Sequence, residues 1–132
     1  MKNDLEKKRE FRLEQSREKL NLSSIMLSKS LYNDSLIFSY LSMFYSVRIL
    51  LIEKNVDSDD HEKILELIEK YYEPTGWMDV NILEILSEAK VYKEKIEKDK
   101  GVLISKDEAD KFLNNANLIL NQVLNISNII HV

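Results

Sequence analysis

Arg48 is the single charged side chain inside the most apolar run of the chain, Ser35 to Ile52. An arginine held among apolar neighbours needs a carboxylate or a set of carbonyls around it. It either pairs structurally or snorkels to water near a helix end, or it stands in a cleft and meets a phosphate or a partner molecule. His61 follows the acidic stretch Val56-Asp-Ser-Asp-Asp60. It is either a surface residue opening a helix or, with Arg48 and Tyr45, part of a cleft wall. Arg48, His61 and Tyr45 are therefore the candidate binding residues. Tyr40, Tyr45, Tyr71, Tyr72 and Tyr92 suit the edge of a core, and they also suit base stacking.

Much chemistry is excluded. The chain has no cysteine, so it offers no disulfide, thiolate metal site or cysteine nucleophile. His61 and His131 are far apart in sequence. No Gly-rich phosphate loop occurs, Lys100-Gly101 being too little, and there is no serine elbow and no Glu-x-x-His pair. Val56 to Asp60 resembles half of a calcium loop, but the glycine and the closing glutamate are missing. Carboxylates are plentiful, yet nothing singles out a catalytic pair. The expectation is no catalytic set, no metal and no cofactor. A net charge of −4 gives no overall pull toward nucleic acid.

The elements that must position these residues read as helices. With two glycines and one proline in 132 residues, a β-rich fold lacks its turn residues. The length suits one domain, 1–132, with residues 1–15 as a charged helical arm. The N-terminus is highly charged through Lys19 and lacks a signal peptide's apolar segment, so a cytoplasmic location is expected. Residues 3 to about 32 read as a first helix. Its opening mixes acids with bases in the manner of a solvated arm, and it turns amphipathic from Leu20 through Ile25, Leu27 and Leu31. Tyr32-Asn33-Asp34 reads as a break, with Asn33 or Asp34 capping the next helix.

That next helix, to about Asn55, is apolar on almost every face and reads as the buried centre of a bundle rather than a membrane span. Ser35, Ser39, Ser42 and Ser46 form a stripe of small side chains along it. A neighbour can approach closely there, and each hydroxyl can bond back to a carbonyl one turn earlier. Ser58, Asp59 or Asp60 caps a third helix through Tyr72. Pro74-Thr-Gly76 is a break, with Trp77 as a packing plug at a corner of the bundle. Asp79 caps a fourth helix that runs to about Lys98 and stops at Gly101. Ser105-Lys-Asp-Glu108 is a capping box opening a fifth. Asn117, Asn121, Asn125 and Asn128 edge that last helix as a solvated face or a dimer seam.

The order of these motifs resembles the HEPN domains (higher eukaryotes and prokaryotes nucleotide-binding). The nearest subgroup is the small stand-alone kind often encoded beside a minimal nucleotidyltransferase. Its core helix, reading like Ala-Tyr-Tyr-Ala-Met-Phe and then Ala-Arg-Ala-Leu-Leu, is similar to Ser39-Tyr-Leu-Ser-Met-Phe44 and Val47-Arg-Ile-Leu-Leu51. His61 stands where that subgroup often has a histidine opening its third helix, and Ser105 to Ala109 match the start of its last. The resemblance spans roughly residues 16–128. It implies an all-α antiparallel bundle of about five helices, a homodimer, and a nucleotidyltransferase-type partner.

The chain departs from the family in its chemistry. Catalytic HEPN ribonucleases carry an arginine followed, four to six residues later, by a histidine. Neither His61 nor His131 has such an arginine upstream. The subgroup's Arg and Asp-Tyr would fall near Lys93, Glu97 and Lys98, where some charge is kept and the motif is lost. The resemblance thus implies a non-catalytic binding or regulatory subunit of a toxin–antitoxin or defence system, with Arg48 and His61 in recognition. Two other readings stay open: a degenerate ribonuclease using Arg48 and His61 across a dimer cleft, and a plain helical adaptor. RNA or nucleotide binding has no support from charge.

Overall fold

A computed structural model describes residues 2–131. They form five α-helices and no strand: α1 (Asp4–Ser28), α2 (Tyr32–Glu53), α3 (His61–Tyr71), α4 (Ile82–Lys98) and α5 (Lys106–Ile130), with a short 3-10 turn at Glu73–Thr75. This is the all-α bundle the sequence implies. α2 is its axis. By length and mean hydropathy, 1.7, Tyr32–Glu53 could cross a membrane. Here its sides are taken by α1 and α5 along most of its length and by α3 and α4 over the remainder. Leu36, Met43, Val47, Leu50 and Leu51 are fully buried.

The α1–α2 hairpin corrects the sequence reading in two places. The first helix ends at Ser28 rather than near residue 32, and Tyr32-Asn33-Asp34 is the first turn of α2. Leu31 N–H reaches back to Met26 C=O at 2.9 Å while Ser30 takes a left-handed φ of 62°. That closure favours glycine. A serine performs it here, so the stop has no glycine signal. Asn33 caps nothing: its amide donates to Val102 C=O and its oxygen accepts from Ile104 N–H, both at 2.8 Å. The side chain copies a peptide group and ties the α4–α5 crossover to the start of α2.

The second correction concerns what α1 buries. Leu13, Leu20 and Leu27 pack on the core, whereas Ile25 and Leu31 lie exposed. Between the leucines stand Ser16 and Ser23, fully buried against the serine stripe of α2. The three leucines recur every seven residues, and the two serines keep the same interval. Such a repeat holds one seam of a helix against its partner. The hydroxyls bond mainly across this seam. Ser23 Oγ donates to Ser35 C=O at 2.7 Å, Ser42 Oγ to Ser16 C=O at 2.9 Å, and Ser16 Oγ meets Ser46 Oγ at 2.5 Å. The expected bond to a carbonyl one turn back is made by Ser46, to Ser42.

The other helix starts follow local chemistry. Asp60 caps α3 by accepting from Lys63 N–H at 3.2 Å. Asn81, not Asp79, caps α4, accepting from Glu84 N–H at 3.1 Å. Asp79 N–H instead donates to Gln122 Oε1 at 2.7 Å, and Gln122 Nε2 donates to Trp77 C=O at 3.2 Å. Buried Gln122 thus straps the loop that carries Trp77 onto α5. Ser105 and Glu108 close the capping box of α5.

Candidate functional site

Arg48 lies one helical turn beyond Phe44 on α2, and Phe44 one turn beyond Tyr40. The three share a stripe because residues four apart fall on one helix face. Arg48 is 8% exposed. Its Nε donates to Asp57 Oδ1 at 3.0 Å and its Nη2 to Asp57 Oδ2 at 3.1 Å, a two-pronged pair. Its guanidinium also stands 5.5 Å from the centre of the Phe44 ring. Arg12 of α1 adds a second cation, 3.6 Å from Asp57 Oδ2. Val56 N–H bonds back to Leu51 C=O at 3.0 Å, folding the acidic loop over the end of α2 and bringing Asp57 to Arg48. Arg48 is therefore matched within its own chain. Arg12 shows that the charged arm is not wholly solvated.

His61 is placed by the cap of α3. It is the first helical residue, 6% exposed, and its Nδ1 lies 2.8 Å from the Tyr40 hydroxyl. Burial lowers the His61 pKa from its ordinary 6.5, and Lys90 adds to this against Glu62, Glu94 and Asp60. The imidazole is neutral at pH 7. Burial, followed by Glu94, Glu62 and Glu97, raises the Tyr40 pKa and keeps the phenol protonated. With the phenol as the donor of this pair, Nδ1 accepts and Nε2 carries the ring proton. Nε2 has no hydrogen-bond partner among the described residues.

His61 lines a cleft of about 460 Å³ between α2, the start of α3 and α4. Tyr40 and Phe44 form its aromatic side. Lys90 and Lys93 of α4 stand over the Tyr40 ring, 5.8 and 5.5 Å from its centre. Lys93 also pairs with Glu97, so two of the positions where the HEPN subgroup's late motif would fall satisfy one another. Of the three candidates, His61 alone lines this cleft; Arg48 and Tyr45 do not. Tyr45 is half-buried, edge-on to Phe44 at 5.7 Å. The partner of His61 is Tyr40, one turn earlier on α2.

Two features escaped sequence reasoning. Tyr40 was one of several tyrosines, and nothing local tied it to a histidine 21 residues away. The other is Glu53, at the end of α2, whose side chain is 1% exposed. Arg9 Nε lies 3.0 Å from one of its oxygens, without the alignment of a hydrogen bond, and His131 Nε2 lies 2.6 Å from the other. Ser127 Oγ donates to the first of these oxygens, Oε1, at 3.3 Å. One carboxylate thereby joins α1, α2 and the end of α5. No cluster of three or more histidine, aspartate or glutamate side chains able to hold a metal occurs among the described residues.

The chain is similar to known proteins. The model of the HEPN domain matches residues 9–126. The putative toxin MJ0142 of Methanocaldococcus jannaschii is 29% identical over 121 residues, covering 90% of this chain and 82% of that protein. The putative toxin MJ0605 of the same organism is 25% identical over 67 residues, 51% of this chain and 50% of its own length.

Proposed function

The chain belongs to the HEPN family, and on that premise we propose that it is a non-catalytic binding subunit of a toxin–antitoxin or defence system, partnered by a nucleotidyltransferase-type protein. The names of its two relatives support the setting. The resemblance to stand-alone HEPN proteins encoded beside a minimal nucleotidyltransferase supports the partner. The observation that carries the non-catalytic part is the engagement of Arg48. Both prongs of its guanidinium are held by Asp57, at 3.0 and 3.1 Å, and it does not line the cleft that His61 lines. That pairing commits the Nε–Nη2 edge of the guanidinium to Asp57 and offsets its charge, which weakens its pull on a cleaving phosphate. Self-association would use α5, where Leu118 and Ile129 are half exposed beside the asparagine edge.

The test is a tagged pull-down from the native host, washed at moderate salt and read by mass spectrometry. A stoichiometric nucleotidyltransferase is expected. Recovery of this chain alone would remove the partner reading. One observation favours a second reading, RNA cleavage: a neutral imidazole with a free Nε2, beside two lysines. Pure wild-type protein incubated with RNA should leave it whole. Cleavage that is lost in His61→Ala but kept in Asp57→Asn would replace the first reading with the second.

A further inference from the structure

We infer that the cleft between α2, the start of α3 and α4 is the docking site for a basic segment of the partner protein. An arginine or lysine of that segment would enter between Asp59, Glu62 and the aromatic side of the cleft, and a neighbouring backbone carbonyl would accept from His61 Nε2–H. The inference rests on the reading above in taking the partner to be a protein.

The charge at the mouth of the cleft selects the sign of the ligand. Lys90 lies 3.8 Å from Glu94, and Lys93 pairs with Glu97, so the two cations of the cleft are matched within α4. Asp59, Asp60 and Glu62 have no cationic partner among the described residues. Asp60 also caps α3 and spends one oxygen on Lys63 N–H. Three carboxylates therefore crowd the helix start that would otherwise attract a phosphate. An anion entering here meets net negative charge, whereas a cation relieves it.

The inner surface selects the shape. Tyr40 and Phe44 present rings that already draw cations, Lys90 and Lys93 over Tyr40 and Arg48 over Phe44. Tyr40 is only 3% exposed beneath these lysines, so an incoming guanidinium would lie against the half-buried Phe44 edge of the cleft. His61 supplies the second point of recognition. It is 6% exposed and lines the cleft, and its Nε2–H is unpartnered. A donor in an acidic cleft is not there for the cation itself. It suits an uncharged acceptor beside the cation, and a peptide carbonyl is such a group. A cleft of about 460 Å³ has room for one long side chain and its backbone.

The experiment titrates the purified full chain with acetyl-Arg-Gly-Arg-Gly-amide, acetyl-Glu-Gly-Glu-Gly-amide and inorganic phosphate. It follows the His61 ring signals and the Tyr40 and Lys90 amides by NMR. The arginine peptide should move all three and saturate. The double reversal Asp59→Lys, Glu62→Lys lies on exposed positions at the start of α3, so the urea midpoint should fall only slightly, from the lost helix-dipole interaction, while affinity falls about ten-fold or more. Saturation by phosphate or the glutamate peptide instead, no saturation by any probe, or equal binding of the arginine peptide to the reversed variant would each overturn the inference. The host pull-down repeated with the reversed variant separates the two claims. A nucleotidyltransferase captured equally by both forms sinks the docking site and leaves the partner reading standing. No such protein captured by wild type sinks the partner reading, and the peptide titration then decides the cleft alone.

Discussion

Two of the three candidate side chains, Arg48 and His61, occupy neighbouring parts of the fold and meet opposite fates. Arg48 and Tyr40 share one face of α2, two turns apart with Phe44 between them. At one end, Arg48 is given a carboxylate of matching fork geometry, and a second arginine stands behind it. At the other, His61 is given one hydrogen bond from Tyr40 and keeps its second nitrogen free. A buried group whose charge is matched becomes part of the scaffold. A buried group that is half matched keeps a direction in which it can act. Residue type alone, arginine over histidine, would have put Arg48 first as the residue free to meet a partner.

The largest expected effect breaks the closed end. Asp57→Ala leaves a buried guanidinium without its carboxylate, and should lower unfolding free energy by about 2–3 kcal/mol, at or just under the lower part of the usual range because Asp57 is partly exposed. Replacing both partners, as Arg48→Met with Asp57→Ala, should recover much of that loss, since the uncompensated charge is gone. Urea unfolding of the two single variants and the double measures the coupling. A coupling near zero would mean that Arg48 finds water as easily as Asp57, and the contrast between the two ends would fail.

The legibility of these features in the sequence follows their range. The capping box at Ser105 and Glu108 and the cap at Asp60 are contacts three residues long; the first could be read directly and the second as one of three neighbouring candidates, Ser58, Asp59 and Asp60. The identity of α2 as the buried axis was readable too, because its apolar character leaves no solvated face. Apolar periodicity could not locate the buried side of α1, since part of that side is Ser16 and Ser23. These look polar until the serines of α2 are set against them. The stop at Ser30 was hidden because a serine adopts the conformation that usually announces itself as glycine. Asn33, Gln122, Glu53 and the Tyr40–His61 pair all depend on partners brought close only by the bundle. Lone polar residues in a sequence carry no address for such partners. The family resemblance correctly placed the core but could not say that Arg48 would be matched by Asp57.

A smaller effect probes the open end. Tyr40→Phe keeps the ring and deletes the hydroxyl, removing one neutral hydrogen bond to His61. The cost should be about 1 kcal/mol, less than that of Asp57→Ala in the same urea assay. A larger loss than Asp57→Ala would invert the comparison and make the Tyr40–His61 pair the structural one.

The smallest effect is the most specific to His61. Its folded pKa is lowered, first by burial and then by Lys90, with Glu62, Glu94 and Asp60 opposing. The unfolded chain therefore binds the imidazole proton more readily than the folded one near and below the ordinary value of 6.5. Stability rises with pH wherever the unfolded state binds more protons. The contribution of neutral His61 is thus fully present above that value and is lost as pH falls from it toward the folded pKa. Protonation would also convert Nδ1 from acceptor to donor and turn it against the Tyr40 hydroxyl proton. His61→Gln removes the titration and leaves His131 in place, so the difference between wild type and variant isolates one ring. Urea unfolding at steps from pH 8 to pH 5 should show wild type losing stability relative to His61→Gln on the acid side. A wild type that gains on acidification would mean that the fold favours charged His61 and that its free nitrogen faces an anion rather than a carbonyl; parallel curves would mean that folding leaves its titration unchanged.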